Sequence, residues 1–219
     1  MSETESFIDP IFSKPIYSKP LNIDTKKIVS MLEEYDFHDA GGDISSTKKP
    51  TDIENISSAS DNLYVLEDKR FKFLKDELMK EFYLFSRDQM KYSNKFEITT
   101  SWFTKAEKGQ SSESHNHNNC MISGVLYLQT DKNCGNINFQ NYDNRRYNIN
   151  IEEYNIFNGA EVDFPPEDGL LLLFPSEVWH KIEKNKSDTT RYSLAFNLVP
   201  TGLIGYGNSD SHLKIKVVK

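Results

Sequence analysis

Three histidines are the residues of this chain best suited to chemistry. His115 and His117 are separated by one residue, and His180 lies far downstream. In a β-strand the side chains of residues i and i+2 lie on the same face, so His115 and His117 can bind one ion. A mononuclear iron site takes three protein ligands on one face and keeps open positions on the other. The spacing therefore predicts a metal site, with His180 as the third ligand.

Arg191 and Ser193 repeat the i, i+2 spacing beyond His180. A guanidinium binds a carboxylate through two parallel hydrogen bonds, and a hydroxyl can donate to the same group. The pair therefore predicts a carboxylate clamp beside the metal. Taken singly, Arg191 is typical of a surface cation, and the histidine pair is typical of a solvated loop. The prediction depends on the joint order of these features along the chain.

Strands must position these residues. Residues 169–174 form a continuous apolar run that predicts a buried strand, and a Pro-Ser corner then leads into a strand that carries His180. Alternating, β-branched and aromatic residues predict further strands over 96–104, 121–130, 135–141, 146–151, 160–163, 177–183, 190–199 and 213–218. The second half of the chain is therefore predicted to be built from short strands.

Helical patterns precede the strands. Asp24 is a good N-cap for a helix that ends before Gly41, and residues 67–90 carry apolar side chains at helical spacing. Between them, residues 39–62 are rich in Ser, Asp, Lys and Gly, which predicts a long loop with room for one short strand. We expect this loop to be a candidate cover for the site.

Helices followed by many short strands favour a mainly β protein, a jelly roll with an N-terminal helical layer. We interpret the chain as a single domain, residues 1–219. Residues 1–95 would form an extended and helical layer, and residues 96–219 the jelly-roll core.

Composition narrows the classes of function. The formal charge of −7 argues against a broad nucleic-acid-binding surface, which needs a basic face. No apolar run approaches the ~20 residues of a membrane helix, and the acidic start is unlike a signal peptide. We therefore expect a cytoplasmic protein with Cys120 and Cys134 as free thiols. The abundant Asn, Lys, Ile and Tyr favour an AT-rich viral or bacterial genome.

The stretch from Trp102 to Asn197 resembles a known family. The motifs that carry the resemblance are His115-Asn-His117, Ser123-Gly-Val-Leu-Tyr127-Leu, Gly135-Asn-Ile-Asn-Phe139, Phe174-Pro-Ser176, His180 and Arg191-Tyr-Ser193. This stretch is similar to 2-oxoglutarate/Fe(II)-dependent oxygenases of bacteria and marine bacterial viruses (phages), and more loosely to prolyl 4-hydroxylases. The opening Pro10-Ile-Phe-Ser-Lys-Pro-Ile16 resembles the short N-terminal signature of the same family.

The resemblance implies a double-stranded β-helix with Fe(II) and 2-oxoglutarate at its mouth. It assigns the three histidines as metal ligands and places Arg191, Ser193 and Tyr127 on the distal carboxylate of 2-oxoglutarate. The implied enzyme consumes O₂ and 2-oxoglutarate, forms succinate and CO₂, and hydroxylates a peptide, an amino acid or a small molecule. No catalytic residue beyond the metal centre is implied.

His117 departs from the superfamily, which mostly has Asp or Glu at this position. Three neutral imidazoles leave the full double charge on the metal, which makes zinc, nickel or copper more credible than beside a carboxylate. Cys120 is a further candidate ligand. Two alternatives therefore stay open: a three-histidine cupin-type metalloenzyme that does not use 2-oxoglutarate, and a non-catalytic jelly-roll binding module.

Substrate and assembly are less defined. The loop of residues 39–62 and the segment 141–147, with Arg145 and Arg146, are candidate substrate contacts. The sequence also leaves open whether the protein is a homodimer.

Overall fold

Two antiparallel β-sheets packed face to face form the protein, as seen in a computed structural model that describes residues 8–40, 55–142, 149–205 and 210–218. In chain order the elements are β1 (Tyr17–Pro20), α1 (Thr25–Ser30), β2 (Phe37–Asp39), β3 (Ser58–Ser60), α2 (Lys72–Tyr83), β4 (Lys95–Ala106), β5 (Ser112–His115), β6 (Ile122–Gln129), β7 (Ile137–Gln140), β8 (Glu161–Phe164), β9 (Leu170–Pro175), β10 (Trp179–Ile182), β11 (Arg191–Ile204) and β12 (Leu213–Ile215).

The larger sheet has the strand order β1-β9-β6-β11-β4-β3-β2, with β12 also paired to β11. The smaller sheet has the order β5-β10-β7-β8. All strand pairs between these elements are antiparallel. The predicted double-stranded β-helix is confirmed.

The central strands of the larger sheet are apolar on both faces because both faces are covered. In β6, Leu126 and Leu128 pack with the helical layer, whereas Val125 and Tyr127 pack toward the smaller sheet. Successive side chains of a strand point to opposite faces, so one strand contributes to two cores. Polar residues on the inner face of such a strand therefore have to find partners inside the barrel.

Helix α2 supports the outer face of the larger sheet. Leu74, Leu78 and Phe82 recur at helical spacing and are fully buried in the core. The periodic region predicted over residues 67–90 is not one regular α-helix: short 3-10 turns precede α2, and a π-helical segment, Leu84–Gln89, follows it. The apolar stripe nevertheless packs into the core on the outer face of the larger sheet.

The N-terminal half contains two short strands: β3 lies in the loop of residues 39–62, which was predicted to have room for one, whereas β2 was not predicted. Asp24 does cap α1, since its Oδ1 accepts the Lys27 N–H at 3.0 Å, but the α-helix ends at Ser30. The chain then forms β2, which pairs with β3 inside the predicted loop of residues 39–62. Both strands have only three residues, too short for a period to be visible in the sequence.

In the second half of the chain, the structure differs from the predicted strands at two places. Residues 149–151 are not a strand, and the preceding part of the strand predicted over 146–151 lies outside the described residues. Conversely, the polar segment Ser112–His115 forms β5. Among the described residues, no helix combines the length and apolar character needed to cross a membrane.

Candidate metal and co-substrate site

His115, His117 and His180 converge in the structure. Each offers a ring nitrogen, and these atoms all lie within 4.8 Å of one another. His115 ends β5 and lies directly opposite His180 on the neighbouring strand β10. Their ring centroids are 4.4 Å apart, and each is 5.2 Å from the ring of His117. The three side chains therefore can hold one ion.

His117 reaches the site by a different route from the one its spacing predicted. Strand β5 ends at His115, so His117 lies outside the strand and does not share a strand face with His115. Its main chain is held instead by the N–H of His117, which donates to the carbonyl of Ser176 at 2.9 Å. The prediction of a common face was wrong, although the two rings still meet.

Backbone carbonyls orient two of the imidazoles. Nδ1 of His115 lies 2.8 Å from the carbonyl oxygen of Glu113, and Nδ1 of His180 lies 2.9 Å from that of Val178. A carbonyl can only accept, so we assign the proton of each ring to Nδ1. This leaves Nε2 with a free lone pair, the arrangement by which a second partner fixes a ligating histidine. The His117 ring makes no hydrogen bond to any described residue.

Burial keeps the three rings neutral. Desolvation lowers the pKa of His117 to about 4 and that of His180 to about 3, and it also lowers the pKa of His115. The proximity of His115 contributes to these lowered pKa values of His117 and His180. Metal ions bind the neutral imidazole. Three neutral, converging nitrogen donors thus fit a divalent transition-metal ion.

Arg191 is a buried cation without an acidic partner in the part of the chain that the structure describes. Its side chain is only 4% exposed, and Nη1 donates to the carbonyl of Cys134 at 2.6 Å. No carboxylate of a described residue pairs with it. Burying an unpaired charge is costly, so such a group is typically completed by a ligand or a counter-ion. Arg191 therefore is suited to receive an anion.

Tyr127 and Ser193 lie beside this cation. Ser193 is paired across the sheet with Tyr127 on one side and Thr104 on the other, and its Oγ is 2.5 Å from Thr104 Oγ1. The Tyr127 hydroxyl is fully buried and has no hydrogen-bond partner among the described residues. Burial raises its pKa to about 12, so it remains a donor at neutral pH. A buried hydroxyl without a described partner, next to a guanidinium that no described carboxylate pairs with, fits a carboxylate ligand.

Both groups line one cavity of about 540 Å³ between the sheets, a volume typical of small-molecule sites. Trp102 and Trp179 form part of its wall, and the indole of Trp102 is 6.1 Å from the His117 ring. Sequence reasoning did not include several polar wall residues, notably Thr104, Ser123 and Asn197. The available signal was strand alternation: Ser123 lies on the same face of β6 as Tyr127, and Asn197 lies on the same face of β11 as Arg191 and Ser193. Thr104 is paired with Ser193 from β4.

The other residues that the sequence suggested as ligands or substrate contacts lie partly at the cavity and partly away from it. Cys120 is not part of the metal-binding group, and its thiol instead faces the carbonyl of Asn118 at 3.4 Å. Both cysteines are free thiols, as expected. From the predicted covering loop, Ala40, Ile56 and Ser57 line the cavity, whereas residues 41–54 lie outside the described residues. Arg145 and Arg146 lie outside them as well.

Residues 100–197 match the family model described as "Putative 2OG-Fe(II) oxygenase". This range contains the three histidines, Arg191, Ser193 and Tyr127. The resemblance stated from the motifs is thereby confirmed for this stretch, which is similar to 2-oxoglutarate- and Fe(II)-dependent oxygenases. No curated protein matches the chain in sequence.

Solved structures share the fold at low identity. A prolyl-4-hydroxylase from Pseudomonas putida is 16% identical with a TM-score of 0.57, over 87% of this chain and 95% of that one. HygX from Streptomyces hygroscopicus, with nickel and 2-oxoglutarate bound, is 13% identical with a TM-score of 0.59, over 86% and 84%. A prolyl hydroxylase from Trichoplax adhaerens, in complex with a hypoxia inducible factor peptide fragment, is 14% identical with a TM-score of 0.59, over 85% and 83%.

Proposed function

We propose that His115, His117 and His180 hold Fe(II), and that Arg191, Ser193 and Tyr127 bind the distal carboxylate of 2-oxoglutarate. The observation that carries this proposal is the pairing of two incomplete sites in one cavity. Three neutral imidazoles converge without an acidic ligand, and a buried guanidinium and a buried hydroxyl have no acidic partner among the described residues. A metal chelated by a dicarboxylate would complete both.

Bound iron and 2-oxoglutarate supply the activation of O₂ and the hydroxylation, with succinate and CO₂ as co-products. The task of the protein is to bind, orient and exclude water. Arg191 binds the distal carboxylate of the co-substrate through its positive charge. Tyr127 adds a neutral hydroxyl donor, which strand β6 holds on the inner face of the sheet. The histidines act as ligands through Nε2 and do not exchange protons with the substrate. Thr104 holds the Ser193 hydroxyl in place.

We propose a peptide, amino-acid or small-molecule substrate that enters past Trp102 and Trp179. The indole of Trp179 is 40% exposed and packs edge-on against Tyr142 at 5.3 Å, which gives the mouth an aromatic wall. Fold neighbours carry a peptide fragment in one case and hygromycin B in another, which supports both substrate classes. We further propose that the protein acts in the cytoplasm, where its free thiols stay reduced.

The test is an anaerobic titration of the purified protein with Fe(II) and 2-oxoglutarate. We expect one Fe(II) per chain, a visible metal-to-ligand charge-transfer band when 2-oxoglutarate is added, and succinate after exposure to O₂. In Arg191→Ala the band should need far more 2-oxoglutarate. Iron binding without any effect of 2-oxoglutarate would instead favour the cupin-type alternative, and the absence of stoichiometric metal would favour the binding module. Light scattering of the same sample tests the homodimer.

A further inference from the structure

We infer that four polar side chains on the inner face of the larger sheet, Thr100, Asn197, Ser123 and Ser176, position the metal-binding histidines. This group, here called the polar row, crosses β4, β11 and β6 and ends just after β9. The inference rests on the metal centre proposed above, and it adds residues that do not themselves contact the ion.

A chain of hydrogen bonds connects the polar row, with each side chain donating to the next from Ser176 to Thr100. The Ser123 hydroxyl donates to Oδ1 of Asn197 at 2.8 Å, and Nδ2 of Asn197 donates to Thr100 Oγ1 at 3.2 Å. The hydroxyls of Ser123 and Ser176 are 2.9 Å apart. A hydroxyl has a single hydrogen, and that of Ser123 is directed to Asn197, so Ser176 is the donor to Ser123. The row therefore anchors Ser176 to the centre of the larger sheet.

The anchored end is the corner of residues 175–178, which holds two metal ligands. The carbonyl of Ser176 accepts the main-chain N–H of His117 at 2.9 Å. Two residues on, the carbonyl of Val178 lies 2.9 Å from Nδ1 of His180. Displacement of this corner would therefore move the main chain of one ligand and turn the ring of the other.

His117 depends on this corner more than the other two ligands do. Its ring has no hydrogen bond to a described residue, whereas the rings of His115 and His180 each have a carbonyl partner. The position of the His117 ring is thus determined by its main chain and by packing near Trp102. Because the main chain is tied to Ser176, the polar row substitutes for a direct partner of the ring.

The two serines of the polar row are buried, which indicates that the row has a specific role. Ser123 and Ser176 are 2% and 1% exposed, and Ser123 interrupts a strand that is otherwise almost entirely apolar. A buried hydroxyl adds little net stability even when it is hydrogen-bonded, and an apolar pair of similar shape can replace it at small cost. Hydrogen bonds, however, fix the orientation of the groups that they join, which packing alone does not. We therefore assign the row a role in orientation.

The experiment compares Ser123→Ala with Ser101→Ala. Ser101 is a matched control because it is also a buried serine of the larger sheet, but it lies on the opposite face and accepts the Leu66 N–H at 3.0 Å. Thermal unfolding of the metal-free proteins and dissociation constants for Fe(II) and Co(II) are measured under anaerobic conditions. We expect both variants to lose similar thermal stability, and only Ser123→Ala to bind metal about 10-fold more weakly, the lower end of the effect of outer-shell changes.

Rescue and coupling provide the second readout. Ser123→Thr keeps the hydroxyl and should restore metal affinity. Asn197→Ala breaks the same row from its other side, so it should weaken metal binding by itself, and the double variant with Ser123→Ala should be no weaker than the weaker single one.

Wild-type metal affinity in both Ser123→Ala and Asn197→Ala would overturn the inference. So would a loss of 2-oxoglutarate affinity in Asn197→Ala with metal affinity unchanged, because the residue would then contact the co-substrate and not position the ligands. If the wild-type protein itself binds no metal, the proposed metal centre is wrong. That outcome is distinguishable from wild-type protein that binds metal and variants that bind it equally well, which would overturn only the role of the polar row.

Discussion

At the scale of single residues, His117 determines the charge of the proposed centre. A carboxylate at this position would offset one positive charge of a divalent ion, whereas a neutral imidazole offsets none. Burial keeps all three rings neutral. The ion and Arg191 would therefore both attract an anionic co-substrate within one cavity, which favours a doubly charged dicarboxylate.

Replacing His180 by alanine should abolish stoichiometric metal binding, because two imidazoles cannot hold the ion in the proposed geometry. The measurement is metal content after anaerobic reconstitution and desalting. His38→Ala is the control, since His38 lies on the exposed edge strand β2 and pairs with Asp61. Stoichiometric iron in His180→Ala would remove this residue from the ligand set.

Replacing Tyr127 by phenylalanine should separate binding from stability. The buried hydroxyl has no described partner, so its removal should leave the free energy of unfolding unchanged or raise it by about 1 kcal/mol. The affinity for 2-oxoglutarate should fall by about 1.5–3 kcal/mol, the usual value of a hydrogen bond to a charged group. Urea denaturation and 2-oxoglutarate titration of the same sample test both. Lower stability together with unchanged affinity would mean that the hydroxyl has a structural partner.

At the scale of elements, the contact between β1 and α2 ties the N-terminal strand to the helical layer. The Tyr17 hydroxyl donates to Glu81 at 2.6 Å, and Glu81 is almost completely buried. Lys19 is the other described partner of this carboxylate, at 3.9 Å. Since β1 is also hydrogen-bonded to β9, this one side-chain contact connects an edge strand, a helix and the sheet that carries the site.

Tyr17→Phe should therefore lower the free energy of unfolding by about 1–3 kcal/mol, because a buried carboxylate loses its nearest donor. Metal affinity should not change, as the contact lies in the helical layer and away from the histidines. Chemical denaturation and an Fe(II) titration provide the two measurements. A change in metal affinity would show that the helical layer influences the site.

Gly124 in β6 has a steric requirement. A Cβ atom built there would lie 2.3 Å from Cζ of Phe196, whose ring is fully buried in the core shared with the helices. Gly124→Ala should therefore destabilise the protein by about 1–3 kcal/mol, as overpacked core substitutions do. The double variant Gly124→Ala/Phe196→Leu should regain part of this loss in thermal unfolding. If the single variant is as stable as the wild type, the ring has another position available.

At the scale of the whole molecule, the two cores have different tasks. The larger one joins helix α2 to the outer face of the larger sheet and is filled with aromatic and aliphatic side chains. The smaller one lies between the sheets and includes Val125, Tyr127, Phe139 and Phe174. The smaller core leaves part of the space between the sheets as the cavity. The larger core thus supports, from its outer face, the sheet whose inner face carries the polar groups.

Stability of the whole fold should decrease at alkaline pH. Burial raises the pKa of Tyr127 to about 12, and burial together with the hydrogen bond to Glu81 raises that of Tyr17 to about 12, above ~10 for an unfolded tyrosine. The unfolded chain therefore loses these protons first, so their contribution is complete below pH ~10 and is lost as pH rises toward 12. Urea denaturation between pH 9 and 11 tests this. The double variant Tyr17→Phe/Tyr127→Phe should show a flatter dependence, and an equally steep one would contradict the assignment.

The sequence by itself determined the residue types of the proposed site and the strands that carry most of them. Apolar runs and alternation depend on neighbours two to four residues apart, so β6, β9 and β11 could be located from local pattern. The same alternation placed Arg191 and Ser193 on one face. The motifs between Trp102 and Asn197 then indicated the oxygenase class.

Only the tertiary structure decided how these residues meet. His117 is held by Ser176 and not by strand alternation, the polar row joins residues from different strands, and Arg191 has no described acidic partner. The short strands β2 and β5 form because other strands pair with them, although neither is long or apolar enough to be recognised from its own sequence. Each of these features depends on the register between distant segments. Local periodicity fixes the face on which a side chain lies, but the partner across the sheet is chosen by packing of the complete chain.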